Sequence, residues 1–335
     1  MRFLLYTDIP SKNVIDRLKK VMESYDISYD LVISGKSSLQ TKEMEYDIIM
    51  VIGSDKTMLK AIHELNSFEV PFLGVSKENS VSFLMEVPLE KLNAALGQIE
   101  REEFHIDECN LLQANLDEGR LIALNEIGIF PSRSATLMKY DLWIDGEYVW
   151  RDIADGIIIS TPIGSTAYSM SAGGPMVMTN APVFVVTPVN SLDLTRRPLV
   201  ISNNSTVEIC ELSSRCEVEV IADGIERLPI KKDIILMKAD ANIKFIRLEK
   251  GFQAYTRLLK KIKLAKELMK MPPSAKLVMK VLEYEGPLTQ KDIIKKTLLP
   301  PRTVRYALSL LMKKGLVKKV PNLRDARQSL YYIKV

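Results

Sequence analysis

The densest chemistry in this chain lies in one run, Asp155-Gly-Ile-Ile-Ile-Ser-Thr-Pro-Ile-Gly-Ser-Thr-Ala-Tyr-Ser-Met-Ser-Ala-Gly-Gly-Pro175. An apolar strand, Ile157–Ser160, feeds a turn crowded with hydroxyls and glycine, and a helix is expected from near Ser165. Small residues let a ligand approach the main chain, and hydroxyls beside helix-start N–H groups suit ribose and phosphate oxygens. The same composition also fits a glycine-rich turn of a β domain. The metal-ligating residue types point elsewhere. Cys109, Cys210 and Cys216 are an odd number without ligand spacing, and His63 and His105 add no pattern, so no metal site is expected. Free cysteines of this kind fit a reducing cytoplasm.

Three blocks of elements must position these residues. Over 1–105 strand and helix signals alternate: Phe3–Tyr6, Ile27–Ile33, Asp47–Ile52 and Val70–Val75 are strand-like, while Asn13–Ser24 and Pro88–Arg101 have helical spacing. That alternation predicts a parallel sheet covered by helices. Over 106–270 short β-rich runs recur: Leu121–Ile129, Asp141–Ile144, Ile157–Ser160, Val183–Thr187, Thr206–Cys210, Val218–Ile221 and Ile234–Lys238. Gly, Pro, Asn and Ser punctuate them, which predicts a mostly antiparallel β domain. A lysine-rich helix, Phe252–Lys270, is expected to close that block, and Pro272-Pro273 marks the boundary to a third domain, 272–335. The N-terminal residues read as a first strand and no apolar run is long enough for a membrane span.

Charge separates the tail from the body. Residues 257–335 carry 20 Lys and Arg against 5 Asp and Glu, whereas residues 1–256 carry 26 against 37. A basic segment on an acidic body predicts a polyanionic partner, although a solvated basic tail has the same composition. Within the tail, Ser274 is expected to cap a helix with an apolar face of Leu277, Val278, Val281 and Leu282. Thr289-Gln-Lys-Asp292 looks like a capping box opening a second helix. A third helix, Arg302 to Lys314, ends at Gly315; its core face is Val304, Ala307, Leu308 and Leu311, its outer face Arg302, Arg305, Tyr306, Ser309 and Lys313. Two strands, Leu316–Val320 and Leu330–Ile333, flank a polar loop with Arg324 and Arg327. This pattern resembles the winged helix-turn-helix domain of bacterial and archaeal regulators. The resemblance implies that Arg302, Arg305, Tyr306 and Lys313 face the major groove, with Lys318, Arg324 and Arg327 reaching the backbone or minor groove. A winged helix used for protein contacts would share the pattern.

The body resembles the ATP-dependent NAD kinase family over about residues 1–262. Asp155-Gly156 followed by Ser160-Thr-Pro-Ile-Gly-Ser-Thr-Ala-Tyr-Ser169 matches the family's long signature, with Ile163 where threonine is usual. Asn125-Glu126, Gly173-Gly174-Pro175, Arg197-Pro198-Leu199 and Asp223-Gly224 follow the family's order. The resemblance implies an α/β N-terminal domain, an all-β second domain, and NAD or NADP bound between them. It implies that Asn125 and Glu126 hold the nicotinamide-side ribose and base, with Asp155 and Ala167 lining that end. Thr166, Tyr168 and Ser171 would meet the remaining nucleotide, and Phe83 falls in the same binding set.

The phosphate side departs from the family pattern. Where the family has Gly-Gly-Asp-Gly-Thr, this chain has Gly53-Ser54-Asp55-Lys56-Thr57, directly after the strand Asp47–Ile52 and before the expected helix Met58–Leu65. The place, outside a parallel strand and opening a helix, suits phosphate. By resemblance Asp55 takes the proton of the ribose 2′-hydroxyl and Thr57 contacts phosphate or the magnesium–ATP complex; Lys56, where the family has glycine, offers a compensating cationic phosphate ligand because lysine is a mobile point charge. Ser54 or Asp55 acting only as a helix N-cap is the plainer alternative. Two missing glycines, and the loss of others in Gly74-Val-Ser-Lys-Glu-Asn-Ser-Val-Ser-Phe-Leu84, favour a dinucleotide-responsive transcriptional regulator. The two resemblances imply a homo-oligomer, and the cysteines a cytoplasmic one. The alternative is an active kinase that makes NADP from NAD with ATP and Mg²⁺.

Overall fold

A computed structural model of the chain describes residues 1–8, 12–35, 45–76, 82–117, 119–230, 232–248, 270–285, 287–321 and 328–333. The chain separates into two compact units: one of residues 1–75, 84–87 and 91–254, the other built mainly on 255–335. The expected helix Phe252–Lys270 falls on residues 252–269, outside the described residues, as do Arg324 and Arg327.

In the first unit the N-terminal part runs β1 (Arg2–Thr7), α1 (Lys12–Ser24), β2 (Ser28–Ile33), β3 (Ile48–Gly53), α2 (Asp55–Leu65), β4 (Phe72–Ser76), β5 (Val87–Pro88) and α3 (Leu92–Glu100). β1 pairs in parallel with both β2 and β3, the βαβ arrangement expected from the alternating signals. The expected helix over Pro88–Arg101 is shorter: α3 begins at Leu92, after a 3₁₀ turn over Leu89–Lys91.

Strands dominate the rest of this unit: β6 (His105–Leu116), β7 (Gly119–Ala123), β8 (Glu126–Pro131), β9 (Met138–Ile144), β10 (Glu147–Ala154) and β11 (Gly156–Ser160). After the short α4 (Tyr168–Ser171) come β12 (Val183–Val189), β13 (Leu199–Ser202), β14 (Val207–Ser214), β15 (Val218–Ala222), β16 (Glu226–Ile230) and β17 (Ile234–Arg247). One sheet follows the order β10-β9-β14-β17-β4-β3-β1-β2, with β6 on β17 and β7 on β6. β17 joins its antiparallel and parallel parts, pairing Phe245 with Phe72 of β4. The second sheet, β13-β12-β11-β8-β15-β16, has antiparallel neighbours throughout.

Two cores follow from this. Tyr140, Leu142, Ile157, Phe184 and Val220 pack in the β-rich part. Leu4, Val51, Met58, Ile62 and Phe245 pack under α2, and Leu124 joins them. The apolar run Leu121–Ile129 is therefore not one strand. It leaves the first sheet as β7, turns at Leu124-Asn125, and enters the second sheet as β8. That turn is the corner at which the two cores meet.

The second unit contains α5 (Pro273–Glu285), β18 (Leu288–Thr289), α6 (Gln290–Thr297), α7 (Pro301–Lys313), β19 (Val317–Pro321) and β20 (Ser329–Ile333). Pro273 opens α5, where its missing N–H costs nothing, so Ser274 lies inside the first turn and is not the cap. Leu277 is 41% exposed; Met279, with Ala275, Val278 and Leu282, takes the core side instead. The capping box at α6 forms: Asp292 N–H donates to Thr289 Oγ1 at 3.2 Å and Thr289 N–H to Asp292 Oδ2 at 3.2 Å. On α7, Val304, Ala307, Leu308 and Leu311 are buried, and Gly315 follows with φ +72°. β19 and β20 pair antiparallel as the stems of a wing.

Candidate active site

The phosphate-side loop closes as a helix start. Ser54 occupies the N-cap of α2 with φ −121° and ψ 176°. Its N–H donates to Thr57 Oγ1 at 3.0 Å, and the two hydroxyls stand 3.3 Å apart. Thr57 is buried, and its hydroxyl accepts the Ser54 N–H, the reciprocal contact of a capping box. Ser54 and Lys56 both keep negative φ, so neither position needs a glycine's conformational freedom. Gly53 is different: a Cβ there would lie 2.2 Å from Thr57 Oγ1. Asp55 opens the helix, and its Oδ1 accepts the Leu84 N–H at 2.9 Å. Lys56 is exposed in the first turn. A carboxylate and a cation thus share a helix N-terminus, where aligned N–H groups favour negative charge.

The dinucleotide-side segments interlock through their main chains. Thr161 N–H donates to Asn125 O at 2.9 Å, and Thr161 Oγ1 donates to Leu124 O at 2.6 Å. Gly164 packs so closely that a Cβ would sit 1.9 Å from Asn125 O, so only glycine fits. Ser165 is buried, donating to Pro162 O at 2.7 Å and accepting from Val177 N–H at 3.0 Å. The helix expected from Ser165 is instead a 3₁₀ turn, Gly164–Thr166, followed by the four residues of α4. This short geometry leaves Asn125, Glu126, Thr166 and Ala167 half-buried, and Tyr168 and Ser171 exposed. Tyr168 stacks on Phe130 with ring centroids 5.7 Å apart. Asp155, half-buried, accepts Asn190 Nδ2–H at 2.8 Å. Ile163, in the place of the family's threonine, packs against the apolar cluster under α2. Phe83 is half-buried in a bend.

A buried carboxylate that the sequence reading did not assign ties the two sides together. Asp223, between β15 and β16, has a side chain with no exposure. Its Oδ1 accepts Asn125 N–H at 2.7 Å and Glu126 N–H at 3.1 Å; its Oδ2 accepts Leu124 N–H at 2.8 Å. His63, in the last turn of α2, brings Nε2 to 3.0 Å from Asp223 Oδ2 and Nδ1 to 3.5 Å from Glu226 Oε2. Burial by itself would lower the His63 pKa. The Asp223 carboxylate, with Glu226 behind it, outweighs burial and raises it above the usual imidazole value. The Asp-Gly pair was the available signal, since Asp223 and Gly224 both take positive φ in a tight turn.

In the C-terminal unit, Arg302, Arg305, Tyr306 and Lys313 are exposed along one side of α7, and Lys318 is exposed on β19. No described helix is long and apolar enough to cross a membrane.

Comparison with known proteins decides what this arrangement belongs to. The ATP-NAD kinase C-terminal domain matches residues 124–248, and the MarR family matches residues 270–328. An NAD kinase of Methanothermobacter thermautotrophicus is 35% identical over 64% of this chain and 77% of its own length. One from Methanopyrus kandleri is 35% identical over 71% of this chain and 87% of its own. The chain belongs to the NAD kinase family. It carries in addition a C-terminal MarR-type winged helix-turn-helix domain. Among solved structures, an NAD kinase from Archaeoglobus fulgidus in complex with ATP aligns with a TM-score of 0.67 at 22% identity, covering 78% of this chain and 99% of that one. A yeast NADH kinase complexed with NADH gives the same TM-score at 20% identity, covering 78% and 87%. Both share the fold of the body.

Proposed function

We propose that the chain is an ATP-dependent NAD kinase whose winged helix binds double-stranded DNA. The observation that carries this reading is the start of α2. Asp55 opens the helix at the end of β3, and the two positions that lack the family's glycines hold ordinary negative-φ backbone. Ordinary backbone at these positions supports an active loop, and curated relatives of similar body length are NAD kinases. Asn125 and Glu126 hold the nicotinamide-side ribose and base of the dinucleotide, with Asp155 and Ala167 at the same end. Thr166, Tyr168, Ser171 and Phe83 meet the remaining nucleotide. ATP enters as its magnesium complex, and Lys56 meets its phosphates. The 2′-hydroxyl oxygen of NAD attacks the γ-phosphorus, its proton passes to the Asp55 carboxylate, and the bond from the γ-phosphorus to the bridging oxygen breaks to release ADP. The Leu84 N–H orients the carboxylate for this task.

The test is NADP formation by the purified full chain from NAD, ATP and Mg²⁺, beside Asp55→Asn. Turnover that Asp55→Asn removes supports the reading. NAD binding by calorimetry without any NADP formation would overturn it. That outcome would leave a second reading, a dinucleotide-responsive transcriptional regulator, which the basic tail and the exposed row on α7 favour. In either case Arg302, Arg305, Tyr306 and Lys313 face DNA bases or phosphates. Lys318, Arg324 and Arg327 hold the backbone, and the protein works as a cytoplasmic homo-oligomer.

A further inference from the structure

Three successive N–H groups converging on one point form a concave cradle for an anion. In this chain the cradle is made by Leu124, Asn125 and Glu126, and the anion is internal: the carboxylate of Asp223. The main chain returns the contact, since Asp223 N–H donates to Glu126 O at 2.9 Å. A fully buried carboxylate needs a counter-charge or a further donor, and His63 supplies it. His63 sits eight residues after Asp55 on the same helix. One end of α2 thus presents the phosphate-side carboxylate, and the other end grips the turn bearing Asn125 and Glu126.

We infer that His63 and Asp223 are positioning residues for dinucleotide binding: the pair sets the conformation of the Asn125–Glu126 turn and its placement against α2. This rests on the reading of that turn as the element that holds the dinucleotide. Neither residue touches the ligand. Asp223 has all its side-chain oxygen contacts directed at the turn and at His63, and it is shut off from solvent. The charged groups that face His63 are Asp223 and Glu226 from the β15–β16 segment. Protonated imidazole donates to both carboxylates at once; neutral imidazole can donate to only one. The grip on the turn is therefore firmest while His63 carries its proton.

The experiment measures NAD affinity of the full chain by calorimetry, so it does not depend on turnover. Wild type is compared with Asn125→Ala, Asp223→Asn and His63→Gln at pH 6 and pH 8.5. Asp223→Asn keeps the size but places an amide where three N–H donors converge, and should weaken NAD binding about tenfold or more. His63→Gln keeps a donor and loses the charge; it should weaken binding about threefold at pH 6 and less at pH 8.5, since the wild-type imidazole gives up its proton as pH rises. Should Asp223→Asn fail to fold, His63→Gln decides alone, because its pH-dependent deficit is not expected of a packing defect. If Asn125→Ala weakens binding while His63→Gln matches wild type at both pH values, the positioning role is overturned. If Asn125→Ala itself binds NAD like wild type, the reading of the turn fails instead, and the two failures are distinct.

Discussion

The two ends of the candidate site treat glycine in opposite ways. At Gly164 the main chain of one segment lies directly on the main chain of another, and an added Cβ would sit 1.9 Å from Asn125 O. At Ser54 and Lys56, where the family pattern has glycine, the backbone is an N-cap and a first helical turn, both open to side chains. The same loop retains Gly53, where a Cβ would collide with Thr57. At Gly53 and Gly164 a Cβ would collide with Thr57 or Asn125, whereas Ser54 and Lys56 occupy an ordinary helix start. What a missing glycine means therefore depends on the conformation and crowding of its position.

Breaking the comparison begins with chemistry. Asp55→Asn should lower turnover by about 100- to 10,000-fold, the usual worth of a positioned general base, with NAD affinity by calorimetry nearly unchanged. A comparable loss of NAD affinity would mean that Asp55 binds and does not transfer a proton. Next comes Gly164→Ala, expected to destabilise the body by about 3 kcal/mol through backbone displacement, read from denaturant midpoints. A stability loss well under 1 kcal/mol would show that the Asn125 turn moves aside easily. On the separate C-terminal unit, Arg305→Ala should weaken DNA binding about tenfold and relax sequence preference, as a lost base contact does. Equal weakening on all sequences would assign Arg305 to phosphate. The smallest effect concerns His63. Its folded pKa lies above its unfolded value, so its stabilising contribution is complete below the unfolded pKa, near 6.5, and fades as pH rises through the folded one. The thermal-midpoint gap between wild type and His63→Gln should thus be widest at acid pH and narrow as pH rises through the folded pKa, above 6.5.

Local signals made much of this molecule readable. Strands β1 and β3 announce themselves in the sequence by the apolar runs Phe3–Tyr6 and Ile48–Ile52, because both are buried in a parallel sheet. The third helix of the tail was legible down to its buried face, Val304, Ala307, Leu308 and Leu311, since its apolar period is regular. Tertiary contacts hid the rest. The turn between β7 and β8 carries no turn residue stronger than Asn125, because a carboxylate 98 residues away satisfies its N–H groups. The helix predicted from Ser165 dwindles to a 3₁₀ turn and four residues, as Gly164 and Ser165 serve packing and not helix propagation. His63 was weighed only as a metal ligand, and nothing near it in sequence announces Asp223. In α5, Met279 and not Leu277 joins the core, a choice set by the packing of the tail's helices and not by hydrophobicity alone.

The central claim is that the loop Gly53–Thr57 is competent as it stands. The most direct measurement is the rate of NADP formation by the full chain beside the double variant Ser54→Gly, Lys56→Gly. The account predicts wild-type turnover on the order of 1 per second or faster, and no large gain when the glycines are restored. A wild type without turnover that gains it in the double variant would contradict the account, placing the obstruction in those two side chains.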